Sequence, residues 1–500
     1  MLLGVDIGTS AIKSGLLDED GRVTATYSVP HEVMEPHPGW AEMDPNAWWE
    51  GLKESIAGVC REAGCAPADI QGVSFSTLYP ALVCVDTSGS VLRPAILYCD
   101  QRAVKQSDWL RDNLDPEKTL RITGNGTPTG TCVLTSMLWV KENEPDIFDR
   151  SRWLCHPNSF LAYRLTGEMA MDWVSSSLSG VFELDSGYRW SEWVCDGAGI
   201  PMEKLPPLLA PSSKVGEVTR EAAEQTGLRE GTPVAIGAGD TGCSVFGAGL
   251  LEPGQLCLTC GTTDNIAFIV DRPEFDIRFA NCCYVVRDRW VFIATMTNTG
   301  AALEWFKRNF FDGTSYDEVF AEADAAQPGA GGLVFLPYLQ GERSPIWDPF
   351  ARGVFCGLRL TTGKREMFRA VLEGVAFAIR QNLEIIEGIQ DGAVDEILTM
   401  GGAAQSEVWN RIKASVTGRP IRPLDFGQTA LLGAAMLGGI AAGVYADVQD
   451  AIARTRTFST GDLVEPVAAD REQYDHLFDV YLEMYGQLKP TFAEMVRTHE

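Results

Sequence analysis

The sequence predicts an α/β protein of two large domains, and three observations carry that prediction. Apolar runs of strand character alternate with helix-periodic stretches along the chain. A hairpin pattern with a glycine- and hydroxyl-rich turn near the start recurs about 250 residues later. The 500 residues also exceed what one core ordinarily serves, which favours domains of roughly 200 to 250 residues.

The first element is "LLGVDIGTSAIKSGLL", in which apolar runs at Leu2–Val5 and Ser14–Leu17 flank a small polar loop; two strands around a tight turn fit it better than a helix. From Ala47 to Ala63 the apolar positions recur at helical spacing, and residues 69 to 86 read strand, loop, strand. Residues 135 to 155 read as a helix followed by a strand-like stretch.

In "IGAGDTGCSVFGAGL", residues 236 to 250, one carboxylate stands among small and apolar residues. Gly237 and Gly239 permit a tight turn, and a helix can start at Thr241. By itself Asp240 reads as a helix N-cap, since the unpaired N–H groups and the dipole stabilise an acid there. The Gly/Pro-rich "GAGLLEPG" at 247 to 254 marks the expected join, giving domains 1–246 and 247–500.

The stretch 254 to 270 repeats the opening plan, with Cys260-Gly261-Thr262-Thr263 in the place of Ile7-Gly8-Thr9-Ser10. Two matched turns of this kind suit a nucleotide, because backbone N–H groups and short hydroxyls approach phosphate oxygens closely. Helices follow over 364 to 389, 406 to 418 and 429 to 443, and the acidic stretch from about Glu465 is helical, its domain left open.

Composition narrows the function classes. Against 41 Lys and Arg stand 68 Asp and Glu, a net charge of −27, so nucleic acid and anionic membrane surfaces are excluded as partners. "MLLGVDIGTS" lacks the pattern of a signal peptide, and nothing reaches the ~18 uninterrupted apolar residues of a membrane span. Thirteen scattered cysteines then read as free thiols in a reducing cytoplasm. Cys257/Cys260 form a lone CxxC and Cys282/Cys283 a vicinal pair; without a second CxxC or a nearby histidine, buried thiols are favoured over a zinc or redox site.

The chain resembles the FGGY family of carbohydrate kinases along nearly its whole length, through "DIGTSAIK", "PGWAEMDPNAWW", "LRPAILYCDQRA", "YRLTGE", "GTPVAIGAGD", "CGTT", "TMGGAAQSEVWNRIKASVTGRPI" and, most specifically, "GVFCGLRLTTGKREMFRAVLEG". The resemblance implies two ribonuclease-H-like domains of the actin and Hsp70 type flanking a deep cleft, and an enzyme using ATP and Mg²⁺ to phosphorylate a hydroxyl of a small sugar, sugar alcohol or sugar acid. Asp240 matches the family's general base and displaces the N-cap reading. Asp6 resembles the acid that holds Mg²⁺ through water, with Asp240 beside it. Gly8, Thr9, Ser10 and Lys13 match the first phosphate loop, though Lys13 alone also reads as a surface lysine.

Gly261 and Thr262 look like the second phosphate turn, Gly300 resembles the glycine that lines the same channel, and Gly401, Gly402 and Ala403 match the adenosine edge, although the glycine pair also suits a strand-to-helix turn. Asp100 and Arg102 match the acid and arginine near the sugar; the plain alternative is a surface ion pair. Departures leave the sugar open. Xylulose kinases carry Gly-Gln-Met-His-Gly where this chain has Ser76-Thr77-Leu78-Tyr79-Pro80, which puts Tyr79 at a sugar-contacting position, while "SFST" is closer to the gluconate kinase branch. Ser136 replaces a usual Lys, and Ala414-Ser415 a usual Ala-Asp.

Two rivals remain on the sequence: a binding or regulatory protein of the same fold without the chemistry, and a chaperone-like ATPase, which would need a peptide-binding domain that 500 residues do not accommodate. The partners expected are the sugar, ATP and, as a homodimer, a second copy of the chain.

Overall fold

The computed structural model describes residues 1–185, 187–390, 392–425, 427–455 and 461–497. The chain gathers into two compact units: Met1–Leu251 with Asp271–Val291 and Gln428–Thr457, and Glu252–Val270 with Phe292–Gly427 and Phe458–Glu500.

The first unit is built on strands β1 (Leu2–Ile7), β2 (Ala11–Leu17) and β3 (Val23–Pro30), helix α1 (Pro45–Ala63), strands β4 (Gly72–Thr77), β5 (Lys214–Glu217) and β6 (Pro233–Ala235), and helix α2 (Asp240–Gly247). The sheet order is β5-β6-β4-β1-β2-β3. β1 and β2 form the expected antiparallel hairpin, Asp6 opposite Lys13, while β4 runs parallel to β1 with Ser76 beside Asp6. Helix α1 starts on Pro45 after Asp44, whose side chain accepts from Asn46 N at 2.9 Å, and stops at Gly64 with φ 67°. Its apolar face meets Leu3, Val5, Ile7, Ile12, Val73 and Phe75 in one core. The stretch 135 to 155 differs from expectation: the helix breaks at Glu144 into Val133–Asn143 and Pro145–Arg150, because the residue before a proline is driven out of the helical region.

The second unit repeats the plan with β7 (Leu256–Thr259), β8 (Asp264–Val270), β9 (Trp290–Met296), α3 (Gly300–Phe310), α4 (Lys364–Gln390), β10 (Ile397–Met400), α5 (Glu407–Thr417) and β11 (Ile421–Pro423). β7 and β8 are antiparallel, and β10 and β11 add in parallel beyond β7. The order β9-β8-β7-β10-β11 thus matches β3-β2-β1-β4-β6 strand for strand.

Helix α6 (Thr429–Ala441) belongs to the first unit although it follows β11 in sequence. It is apolar all round because it is covered all round: sheet glycines bring backbone onto its surface, and a Cβ at Gly4 would strike the Leu431 carbonyl oxygen while one at Gly72 would lie 2.6 Å from that of Gly438. On α6 itself, a Cβ at Gly433 would strike the Cys243 carbonyl oxygen of α2. Helix α7 (Arg471–Arg497) falls in the second unit, which settles the domain of the C-terminal helix. Among the described residues no helix is long and apolar enough to cross a membrane.

Candidate active site

Topology brings the first group of residues together. β1, β4 and the short strand Ala238–Gly239 lie parallel, with Ala238 beside Ser76 and Gly239 beside Thr77. Asp6 near the end of β1, Ser76 near the end of β4 and Asp240 at the start of α2 therefore share the carboxyl end of the parallel strands, where α/β sheets collect functional side chains. The turn into α2 needs Gly237: its φ is +73°, and a Cβ there would strike the Phe75 carbonyl oxygen.

Gly239, not Asp240, occupies the N-cap, and Asp240 is the first helical residue. Its Oδ1 accepts from Thr241 N at 2.6 Å and Thr241 Oγ1 at 3.2 Å. Burial, then the negative charge of Asp6, push the Asp240 carboxyl up to about 7, with the Thr241 hydrogen bonds opposing. Asp6 is also raised, chiefly by burial, against the Ser76 Oγ hydrogen bond of 2.7 Å and the charge of Lys13. Two carboxyls thus face each other where both resist ionisation, an arrangement more typical of working sites than of caps.

Gly8, Thr9 and Ser10 form the turn after β1. It is closed by Gly8 N donating to Ala11 O at 3.0 Å and pinned by His31, whose N donates to Ser10 O at 3.0 Å and whose Nε2 lies 2.7 Å from Gly8 O. Lys13 is exposed on β2. Tyr79 is buried with its ring over Gly239, leaving no room for a Cβ there, and its hydroxyl is 3.7 Å from Cys282 Sγ. Burial raises its phenol, and the Cys282 and Asp240 charges add to that.

Asp100 and Arg102 lie inside the protein rather than on its surface: both side chains are 1% exposed. Arg102 Nη2 meets Asp100 Oδ2 at 2.7 Å and Nη1 meets Glu42 Oε1 at 2.7 Å; its guanidinium stacks 3.7 Å from the Trp40 ring centroid. Asp100 Oδ2 also accepts from Ala41 N at 2.6 Å. Arg93 pairs with Glu42 and Glu144, completing a buried charge cluster.

In the second unit the glycines converge. A Cβ at Gly300 would strike the Gly261 carbonyl oxygen, and one at Gly401, where φ is +99°, would strike that of Cys260. Ala301 N donates to Thr262 O at 3.0 Å and Cys260 N to Met400 O at 2.7 Å, so the turn 261–263 is held between the start of α3 and the end of β10. Gly402 opens onto space, with nothing within 4 Å of an added Cβ, and Ala403 follows it in a short 3₁₀ turn.

The parts played by three residues here escaped the sequence reading, although Ser76 was named in the loop that departs from xylulose kinases. His31 and Ser76 act on groups far away in sequence. Asp264, which accepts from Gly261 N at 3.0 Å, looked like the ordinary first residue of a strand.

The donor set fits the implied Mg²⁺. Mg²⁺ keeps waters and phosphate oxygens and takes only one or two protein carboxylates, as Asp6 and Asp240 would supply; among the described residues no group of three His, Cys, Asp or Glu could hold a metal unaided. The Cys257 and Cys260 thiols are buried, which raises them to about 12 and about 11. Cys282 and Cys283 are buried free thiols too.

Comparison with known proteins identifies the family. The model of the FGGY family of carbohydrate kinases, N-terminal domain, matches residues 1–247, and that of the C-terminal domain matches residues 256–442. A xylulose kinase of Bacillus subtilis (strain 168) is 29% identical over 493 residues, covering 98% of this chain and 97% of its own. A gluconokinase of the same organism is 27% identical over 509 residues, covering 99% and 97%. The crystal structure of xylulose kinase from Rhodospirillum rubrum superposes with a TM-score of 0.92 at 31% identity, covering 98% of this chain and 99% of that one. The chain is therefore a sugar-phosphorylating enzyme with two actin- and Hsp70-like domains, and it belongs to the FGGY family of carbohydrate kinases.

Proposed function

We propose that the enzyme transfers the terminal phosphoryl group of ATP to a hydroxyl of a small open-chain or ketose sugar, a ketopentose such as xylulose or a related sugar alcohol or sugar acid, with Asp240 as general base. The observation that carries this reading is the Asp240 carboxyl, raised to about 7 at the head of α2 beside Asp6. A base with that affinity for protons takes one from a hydroxyl near neutral pH while the new O–P bond forms. The bond from phosphorus to the bridging oxygen breaks, ADP leaves, and the proton stays on Asp240 until solvent removes it. Gly8, Thr9, Ser10, Lys13, Gly261, Thr262 and Gly300 are the proposed phosphate-holding residues, and Gly401, Gly402 and Ala403 the proposed border of the adenosine. Mg²⁺, when bound, neutralises charge on the phosphates.

Tyr79, Asp100 and Arg102 are the proposed sugar-side groups. For Asp100 and Arg102 the buried pairing favours a supporting part, holding Trp40 and Glu42 in place. The xylulose kinase and gluconokinase relatives support ketopentoses and aldonates as first substrates to try. Buried free thiols such as Cys60, Cys84 and Cys155 support a reducing compartment such as the cytoplasm.

The test is ADP release with a panel of pentuloses, hexuloses, polyols and aldonates, repeated with Asp240→Asn. Turnover on one member is expected to fall by several orders of magnitude in the variant, with ADP binding retained. Near-normal turnover would remove Asp240 from the chemistry.

A further inference from the structure

The second unit contains a buried charge that the proposed chemistry does not use. Lys413, on α5, is 0% exposed. Its Nζ donates to Cys260 Sγ at 3.4 Å, immediately before the turn 261–263, and its aliphatic stem runs past Trp409, with Nζ 5.1 Å from that ring centroid. A sulfur is a weak acceptor, so this contact does little to offset the cost of burying a cation.

The other charge in the same place is Asp264, 2% exposed at the head of β8, whose Oδ1 accepts from Gly261 N. Thr299, the residue before α3, also hydrogen-bonds the Asp264 side chain, and the charge of Lys413 acts on it. Among the described residues, Lys413 and the Cys260 thiol are titratable groups that act on or feel Asp264. An acid directly behind a turn meant for polyphosphate is a liability, since like charges in a low-dielectric interior repel strongly.

We propose that Lys413 is a positioning residue for nucleotide binding: its buried positive charge offsets Asp264, so that Asp264 can hold Gly261 N and fix the turn without repelling the phosphates. This rests on the reading of residues 261–263 as a phosphate turn.

Burial raises Asp264 to about 6 even with Lys413 present, so removing the lysine raises it further and makes nucleotide affinity depend on pH around neutrality. The experiment is calorimetric titration of the full chain with ADP at about pH 6 and about pH 8, for the wild type and four variants. Lys413→Met keeps the volume and removes the charge but leaves Asp264 without its buried counter-charge. The fold of each variant is therefore checked by its thermal melt, and the double variant, which removes both charges, is the form that folding commonly tolerates.

Relative to wild type, Lys413→Met is expected to weaken ADP binding about tenfold at the higher pH and about twofold at the lower, where protonation silences Asp264. Asp264→Asn alone keeps an amide oxygen that accepts from Gly261 N, so it is expected to bind ADP within about threefold of wild type without acquiring pH dependence. Lys413→Met combined with Asp264→Asn returns to within about threefold of wild type at both pH values. A loss in Lys413→Met that is equal at both pH values, or that Asp264→Asn does not relieve, would overturn the proposal.

Gly300→Ala separates this from the reading beneath it, because its Cβ would push on the Gly261 carbonyl. If Gly300→Ala weakens ADP binding and Lys413→Met does not, the Lys413 proposal alone fails. If neither variant matters, the phosphate turn itself is misassigned.

Discussion

Asp240 is held between two opposing demands. The start of α2 and Thr241 favour its charged form; burial and Asp6 favour the neutral form, and they prevail, since the carboxyl sits at about 7 rather than near 4. The acidic limb of kcat/KM is accordingly expected near pH 7 and to move downward as a divalent cation favours the charged form; a profile flat from about pH 5 to 8 would contradict this.

The same shift sets stability. A carboxyl whose folded pKa lies above its unfolded value destabilises the protein as pH rises between the two, and the cost is complete above the folded value. Asp240→Asn is therefore expected to leave ligand-free stability unchanged near pH 4 and to raise it by about 2–4 kcal/mol at pH 8, as read by denaturant titration. Asp240 stood out in the sequence because it interrupts a small, apolar run, whereas its catalytic reading and the choice of Asp6 came from the resemblance to the FGGY family. Lys413, Asp264 and His31 did not stand out, because what makes them notable is a partner: Lys413 meets Cys260 across 153 positions, and His31 meets Gly8 across 23. Sequence spacing carries no signal for such meetings.

Among the elements, α6 is the most constrained. Gly→Ala inside a helix normally gains up to about 1 kcal/mol in propensity, but Gly433→Ala sets a methyl against the Cys243 carbonyl, and overpacking costs about 1–3 kcal/mol or more. The clash is expected to win, lowering Tm by several degrees. Gly486→Ala, exposed on α7 with nothing within 4 Å, is the opposite case and is expected to hold or raise Tm. If both changes moved Tm alike in differential scanning calorimetry, close backbone contact would not explain the α6 glycines.

Helices and hairpins were readable from period and turn chemistry, and the two hairpins emerged as antiparallel pairs. The break at Glu144 was missed because the helical period runs on through Pro145, and a local sterical rule overrides it.

At the scale of the whole molecule, the sequence suggested a contiguous division at 246/247, whereas the compact units exchange segments: Asp271–Val291 and Gln428–Thr457 return to the first. Nothing in composition marks such a return, because α6 reads as one more apolar helix of the half it follows in sequence. A chain ending at residue 427 would retain β1 to β6 but lose the helix covering one face of their sheet. It is expected to be largely insoluble or to lack a cooperative melt by circular dichroism, while a soluble, cooperatively melting fragment would show that α6 is dispensable.

The return of α6 also orders events during synthesis. The ribosome releases β1 first and the helix that seals its sheet more than four hundred residues later, so the oldest part of the nascent chain waits half-covered while most of the second unit is made. Translation speed and holding chaperones then bear on the yield of this enzyme more than they would on a protein whose halves are each completed before the next begins.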